Sequence, residues 1–245
     1  MTDAGELADD LLSQGFTAMK IWPFDGYSND TNGQFISATE LDEGTEPFRK
    51  IREKVGNKMD VMVEMHAIWN LPSAIRIAKS VEPTNPFWFE DPVPMDNIDT
   101  LAQFRQSTHI ATTASEQVAS RWAFHEMFEK QAMTICMFDI SWVGGISEAK
   151  RIASMVHAYH MPVAPHDCVG PVTLMFSVHL SLNAPNALIQ ETVRAYNATW
   201  YKDIVTNLPN IDNGYVYAPE GVGAGTELLD SFLKDPKTTM QASDL

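Results

Sequence analysis

Six polar residues recur along this chain at the same kind of place. Glu64, Glu90, Glu116, Asp139, His166 and Glu191 each close a short apolar run ("DVMVE", "PFWFE", "HIATTASE", "MTICMFD", "MPVAPH" and "ALIQE"), and successive members lie 23 to 27 residues apart. Turn chemistry explains one such residue, but not six at a shared interval. Glu64, Glu90 and Glu116 form an all-oxygen donor set that suits a hard divalent cation. Mg²⁺ keeps positions for water and substrate, so three protein ligands suffice. Cys and His lack zinc-type spacing. Asp139 and His166 come next, and an aspartate beside an imidazole fixes its tautomer and makes it a base or acid near neutral pH. Lys20 ends the earlier run "FTAMK", where its surroundings decide between a base of lowered pKa and an electrostatic clamp. His66, two residues beyond Glu64, shares its side of an alternating strand and is placed to protonate a leaving hydroxyl. Singly, each of these has an ordinary explanation: a solvated glutamate, an ion-paired lysine, a hydrogen-bonded histidine. Their regular spacing is what argues for one site.

The elements that must carry them alternate. Each apolar run precedes an amphipathic stretch: "LPSAIRIAKSVEP", "NIDTLAQFRQ", "RWAFHEMFEK", "SEAKRIASMVHAYH" and "VTLMFSVHLSL" read as helices. An earlier unit fits too, with "ELADDLLSQ" a helix, Gly15 its stop and "FTAMKIW" a strand. Strand–helix alternation over this length predicts an α/β fold with parallel strands covered by helices. In a (β/α)8 barrel, residues at the C-terminal strand ends meet at one mouth. A doubly wound sheet is the alternative. It calls for a glycine-rich first turn, and "GVGAG" (221–225) follows no clear strand and reads as a plain loop.

"AMKIW", "VEMH", "FEDP", "ASEQ", "FDISWVGGI" and "PHDCVGP", in this order, resemble the barrel domain of the enolase superfamily, mandelate racemase subgroup. The resemblance covers nearly the whole chain. It implies a modified (β/α)7β barrel in which Glu64, Glu90 and Glu116 bind Mg²⁺, Asp139 and His166 form the catalytic dyad, and Glu191 binds a developing enediolate. Lys20 matches the second lysine of the subgroup's Lys-x-Lys motif, while Ala18 replaces the first. An acidic-x-His pattern like Glu64 and His66 is similar to that of acid-sugar dehydratases, which need one base and one acid. The implied activity is a hydro-lyase converting a sugar acid to a 2-keto-3-deoxy acid. A racemase, epimerase or cycloisomerase of the same superfamily, or an inactive barrel, is the alternative. The resemblance also implies homo-oligomers.

Against the family pattern the chain is short. Seven strands are counted from "FTAMKIW", so residues 1–245 are expected to be one barrel domain without the first strand and the N-terminal α+β capping domain. A tail from about 207 to 245 is expected to pack towards that domain, and the chain alone is expected to be poorly active.

Composition narrows the partners. Hydrophobic residues make up 44% of the 245 and charged residues 20%, as in a globular protein. A net charge of −15 argues against nucleic acid and anionic membranes. There is no bilayer-length apolar run and no secretion signal, and Cys136 and Cys168 are the only cysteines, so a cytoplasmic enzyme is expected. Cys168 lies two residues past His166, but a thiol nucleophile there would need a base that the pair with Asp139 already commits. Trp22, Trp69 and Trp142 follow strand ends and are candidates to line the pocket. Asp91 is expected to be structural. "PFDGYSNDTNGQFISATELDEG" reads as a long polar loop, with Asp25, Tyr27 and Gln34 as possible substrate contacts.

Overall fold

The structure is a computed structural model describing residues 3–241. Its elements run α1 (Ala4–Ser13), β1 (Ala18–Ile21), α2 (Ala38–Val55), β2 (Asp60–Glu64), α3 (Leu71–Val81), β3 (Trp88–Glu90), α4 (Ile98–Ser107), β4 (Ala111–Ala114), α5 (Ser120–Glu129), β5 (Ile135–Cys136), α6 (Ile140–Val143), α7 (Ile146–Ala158) and α8 (Pro171–Asn183). Smaller pieces follow: α9 (Arg194–Ala198), a hairpin of β6 (Ile211–Asp212) and β7 (Tyr215–Val216), and α10 (Asp230–Leu233).

β1 to β5 form one parallel sheet in chain order. Beyond β5 the sheet continues as single parallel bridges, Cys136 to Val163 and Val163 to Ala187. These last two staves are thin for a chemical reason. "MPVAPH" contains Pro162 and Pro165, which have no N–H to donate to a ladder. The arrangement is an α/β fold consistent with a (β/α) barrel.

Alternation along the staves sorts side chains onto two faces. Val61, Val63, Phe89, Cys136 and Val163 join the large core shared with the helices. Met62, Trp88, Ile135, Met137 and Ala164 form a separate inner cluster. Lys20, Glu64, Glu90, Asp139, His166 and Glu191 each stand an even number of positions beyond an inner residue, so the same alternation that fills the interior aims them at the mouth.

Residues 23–44 hold more structure than the single loop expected from the sequence. α2 starts at Ala38, fixed by a capping box: the Ser37 hydroxyl accepts from the Glu40 amide, and the Glu40 carboxylate accepts from the Ser37 amide. The "SATE" stretch carries that signal. At the opposite end of the staves, the Arg52 guanidinium donates to the carbonyls of Thr84, Gly56, Met59 and Asn85, tying α2 to the turns that precede β2 and β3.

In the 207–245 segment, Leu208 and Val216 pack beside Leu174, Val178 and Tyr201, so part of the expected tail lies on α8. Its last four residues fall outside the described ones. Gly15 and Gly214 touch backbone to backbone with positive φ (87° and 76°), and a Cβ on either would overlap its neighbour. That contact seats the β6–β7 hairpin on the end of α1. Among the described residues, no helix is long and apolar enough to cross a membrane.

Candidate active site

Glu64 and Glu90 are registered neighbours on β2 and β3, and both are buried. Glu116 lies two residues past β4. One carboxylate oxygen from each of the three falls within 4.8 Å of the others. Each is aimed by local bonds. Glu64 Oε1 accepts from the amides of Met65 (2.9 Å) and His66 (2.6 Å), and Glu90 Oε2 accepts from the Trp88 indole (2.9 Å). Glu116 Oε2 meets His166 Nε2 at 2.5 Å.

Lys20 reaches into this nest from β1. Its ammonium pairs with Glu90, with Glu191 at 2.7 Å and with Glu64 at 3.3 Å. Burial alone would lower its pKa, but Glu191, Glu90 and Glu64 outweigh that and hold it well above the ordinary value. Of the two roles open to Lys20 from sequence, the clamp is the one this arrangement favours.

The structure brings Asp139 and His166 together. Asp139 is wholly buried and caps α6, its Oδ1 accepting from the Ser141 amide at 2.7 Å, while Oδ2 meets His166 Nδ1 at 2.9 Å. Burial opposes a charged imidazole, yet Asp139, Cys168 and Glu116 together hold His166 strongly protonated. Glu116 is held below the ordinary glutamate range because His166 more than offsets the cost of burying it. Glu191 accepts from the Asp167 amide at 2.9 Å and stands 3.9 Å from His166 Nε2.

His66 reaches the site by a different route from the one predicted. β2 ends at Glu64, and His66 and Ala67 both take left-handed backbone conformations (φ 49° and 56°), so strand alternation does not direct the imidazole. It is half-buried, edge-on to Trp22, with Nδ1 2.7 Å from Asp25 Oδ2. Burial lowers its pKa, and Asp25 more than restores it, with Glu116 adding to the rise. Trp142 stands 6.0 Å from His166, but Trp69 is fully buried in the helix-facing core. Tyr27 bonds Glu43 and Gln34 bonds Asn70, away from the nest.

Two buried carboxyls went unrecognised or underused at the sequence level. Asp91 accepts from the Ser115 hydroxyl at 2.8 Å, and burial together with the Glu90 charge raises its pKa to about 8. Asp167 is fully buried, and among the described residues neither carboxyl oxygen has a hydrogen-bond partner. Burial, then the Glu191 charge, raises it to about 8. The only sequence signal for Asp167 is its place in "PHDC", which does not distinguish a buried acid from a solvated one.

The donor set itself fits a metal ion. Burial raises the pKa of Glu64, and burial with the Glu64 charge raises that of Glu90. These are the conditions in which a multivalent cation displaces protons and relieves repulsion. A cavity of about 430 Å³ leads from Lys20 along the unpaired side of β1, past Ala18, Met62, Trp88, Met137 and Ile189.

Residues 3–232 match the family described as enolase C-terminal domain-like. A solved enolase of the mandelate racemase subgroup from Agrobacterium tumefaciens is 53% identical, with a TM-score of 0.90, over 93% of this chain and 62% of that one. An enolase protein from Sargasso Sea environmental sequencing is 43% identical, with a TM-score of 0.92, over 96% of this chain and 63% of that one. Among curated relatives, D-xylonate dehydratase of Haloferax volcanii is 32% identical over 83% of this chain and 49% of its own length. Arabinonate dehydratase of Saccharolobus solfataricus is 26% identical over 82% of this chain and 54% of its own. The chain thus spans about half the length of these curated relatives.

Proposed function

The chain belongs to the enolase C-terminal domain-like family, and from that membership we propose that its site removes the α-proton of a sugar acid and expels the β-hydroxyl, giving a 2-keto-3-deoxy acid. The observation that carries this reading is the convergence of Glu64, Glu90 and Glu116 within 4.8 Å, with the His166–Asp139 pair touching Glu116. The dehydratase names of the curated relatives support the substrate class.

Glu64, Glu90 and Glu116 would hold Mg²⁺, which supplies Lewis-acid charge for a substrate carboxylate and its enediolate. His166, fixed at Nδ1 by Asp139, takes the α-proton at Nε2. To do so it must first lose the proton it carries, and withdrawing Glu116 from Nε2 to serve as a ligand removes one of the groups that hold it. Lys20 and Glu191 meet the carboxylate end of the substrate, Lys20 as clamp and Glu191 against the developing enediolate. His66 protonates the departing β-hydroxyl. The α C–H and β C–O bonds break, water leaves, and the resulting enol becomes the ketone. A racemase would use a second base in place of this acid, and the presence of His66 favours the lyase.

The same reading treats the staves from 18 to 191 as part of a (β/α)8-type barrel. β1 has an unpaired edge that a further strand would join, and the greater length of the relatives would accommodate a capping domain. It places the enzyme in the cytoplasm, as a homo-oligomer.

Calorimetric titration with Mg²⁺, followed by proton NMR in D₂O with a panel of sugar acids, tests the reading. Saturable binding that Glu116→Ala abolishes, with slow formation of a 2-keto-3-deoxy product, is the expected result. Exchange without that product would move the assignment to a racemase, and no Mg²⁺ binding would overturn it.

A further inference from the structure

The dehydration reading needs an acid but leaves open what aims it. We propose that Asp25 is the positioning residue of His66, so that the site contains a second carboxylate–imidazole pair beside Asp139–His166. This rests on the role given to His66 above.

Three independent features meet at this pair. The contact is short, Nδ1 to Oδ2 at 2.7 Å, and Asp25 Oδ1 has no partner among the described residues, so within them His66 is the group the carboxylate serves. The imidazole cannot be aimed by β2, because its own backbone has left the strand in a left-handed conformation. That backbone is pinned instead: the His66 amide donates to Glu64 Oε1, its carbonyl accepts from Gln117 Nε2 at 3.3 Å, and the Ala67 amide donates to the Asp91 carbonyl at 2.7 Å. With the backbone fixed, Asp25 settles the remaining freedom, the ring rotation, and Trp22 borders the ring edge-on.

Asp25 is itself well anchored. It opens a short helical turn directly after Phe24, which is fully buried, and the Ser28 hydroxyl bonds the Asp25 carbonyl rather than its carboxylate. Truncating the carboxylate therefore leaves the turn's own bonds in place. Held at Nδ1, the ring presents Nε2 on its far edge, the nitrogen left free to hand over a proton.

The test pairs a spectrum with a reaction. In ¹⁵N-histidine NMR of the metal-free chain, neutral His66 is expected to carry its proton on Nδ1. Asp25→Ala should shift it towards the mixed tautomers of a free imidazole, and Asp25→Glu should restore the pattern. Unchanged His66 nitrogens in Asp25→Ala would overturn the pair. In D₂O with Mg²⁺ and a sugar acid that turns over, Asp25→Ala should slow product formation by roughly 10- to 100-fold while α-deuterium exchange, the work of His166, continues. Equal loss of both would overturn the positioning role. A wild-type chain that neither exchanges nor eliminates counts against the dehydration reading, and the nitrogen spectrum then decides the Asp25–His66 pair by itself.

Discussion

Asp167 has both carboxyl oxygens buried beside His166 and, among the described residues, without a hydrogen-bond partner. Its pKa of about 8 stands far above the ordinary 3.8, so the folded chain keeps a proton that the unfolded chain has already released. Folding stability should therefore fall as pH rises through that window, the reverse of a salt-bridged aspartate. Asp167→Asn should leave stability nearly unchanged below about pH 3.5 and raise it progressively above that, by about 1–2 kcal/mol near pH 5 and by several kcal/mol near pH 8, read by urea denaturation across that range. At this scale the sequence was legible wherever a side chain's direction follows from alternation. Lys20, Glu64, Glu90, Asp139, His166 and Glu191 all follow that rule. Asp25 and His66 were named separately, but their pairing depends on a left-handed backbone and a turn more than 35 residues away, and neither leaves a periodic trace. Asp167 likewise draws its surroundings from Asp139, Glu191 and Val193, which no local pattern brings together.

Among the elements, α2 governs the turn that carries Asp25. Gly44 sits on its buried face, where an added Cβ would lie 2.3 Å from a ring carbon of Phe24. Helix propensity favours Gly44→Ala by about 1 kcal/mol, but overpacking a filled core costs about 1–3 kcal/mol. The clash should prevail, with a net loss of about 1–2 kcal/mol in thermal or chemical denaturation. A stabilised Gly44→Ala would mean that Phe24 moves aside freely. The five paired strands of the parallel sheet were readable from their apolar residues and their intervals, and the flanking helices from their period. α2 was not read, because its first half is polar and its capping box lay inside a stretch dominated by Gly, Asn and Asp. The last two staves were expected as full strands and survive as single bridges, since proline withholds the donors that a ladder requires.

For the molecule as a whole, binding to the folded state alone links a cation to stability. At a Mg²⁺ concentration a hundred times its Kd, the wild type should gain about 2.7 kcal/mol, and Glu90→Gln should gain almost nothing, by calorimetry or a thermal-shift assay. Equal gains in both would place the ion elsewhere. Lys20, bonded to Glu64, Glu90 and Glu191 from within, is a tethered counter-ion that occupies the nest from the moment the staves meet. With its own ammonium among them, the chain can bring these carboxylates together without first recruiting a dissolved cation.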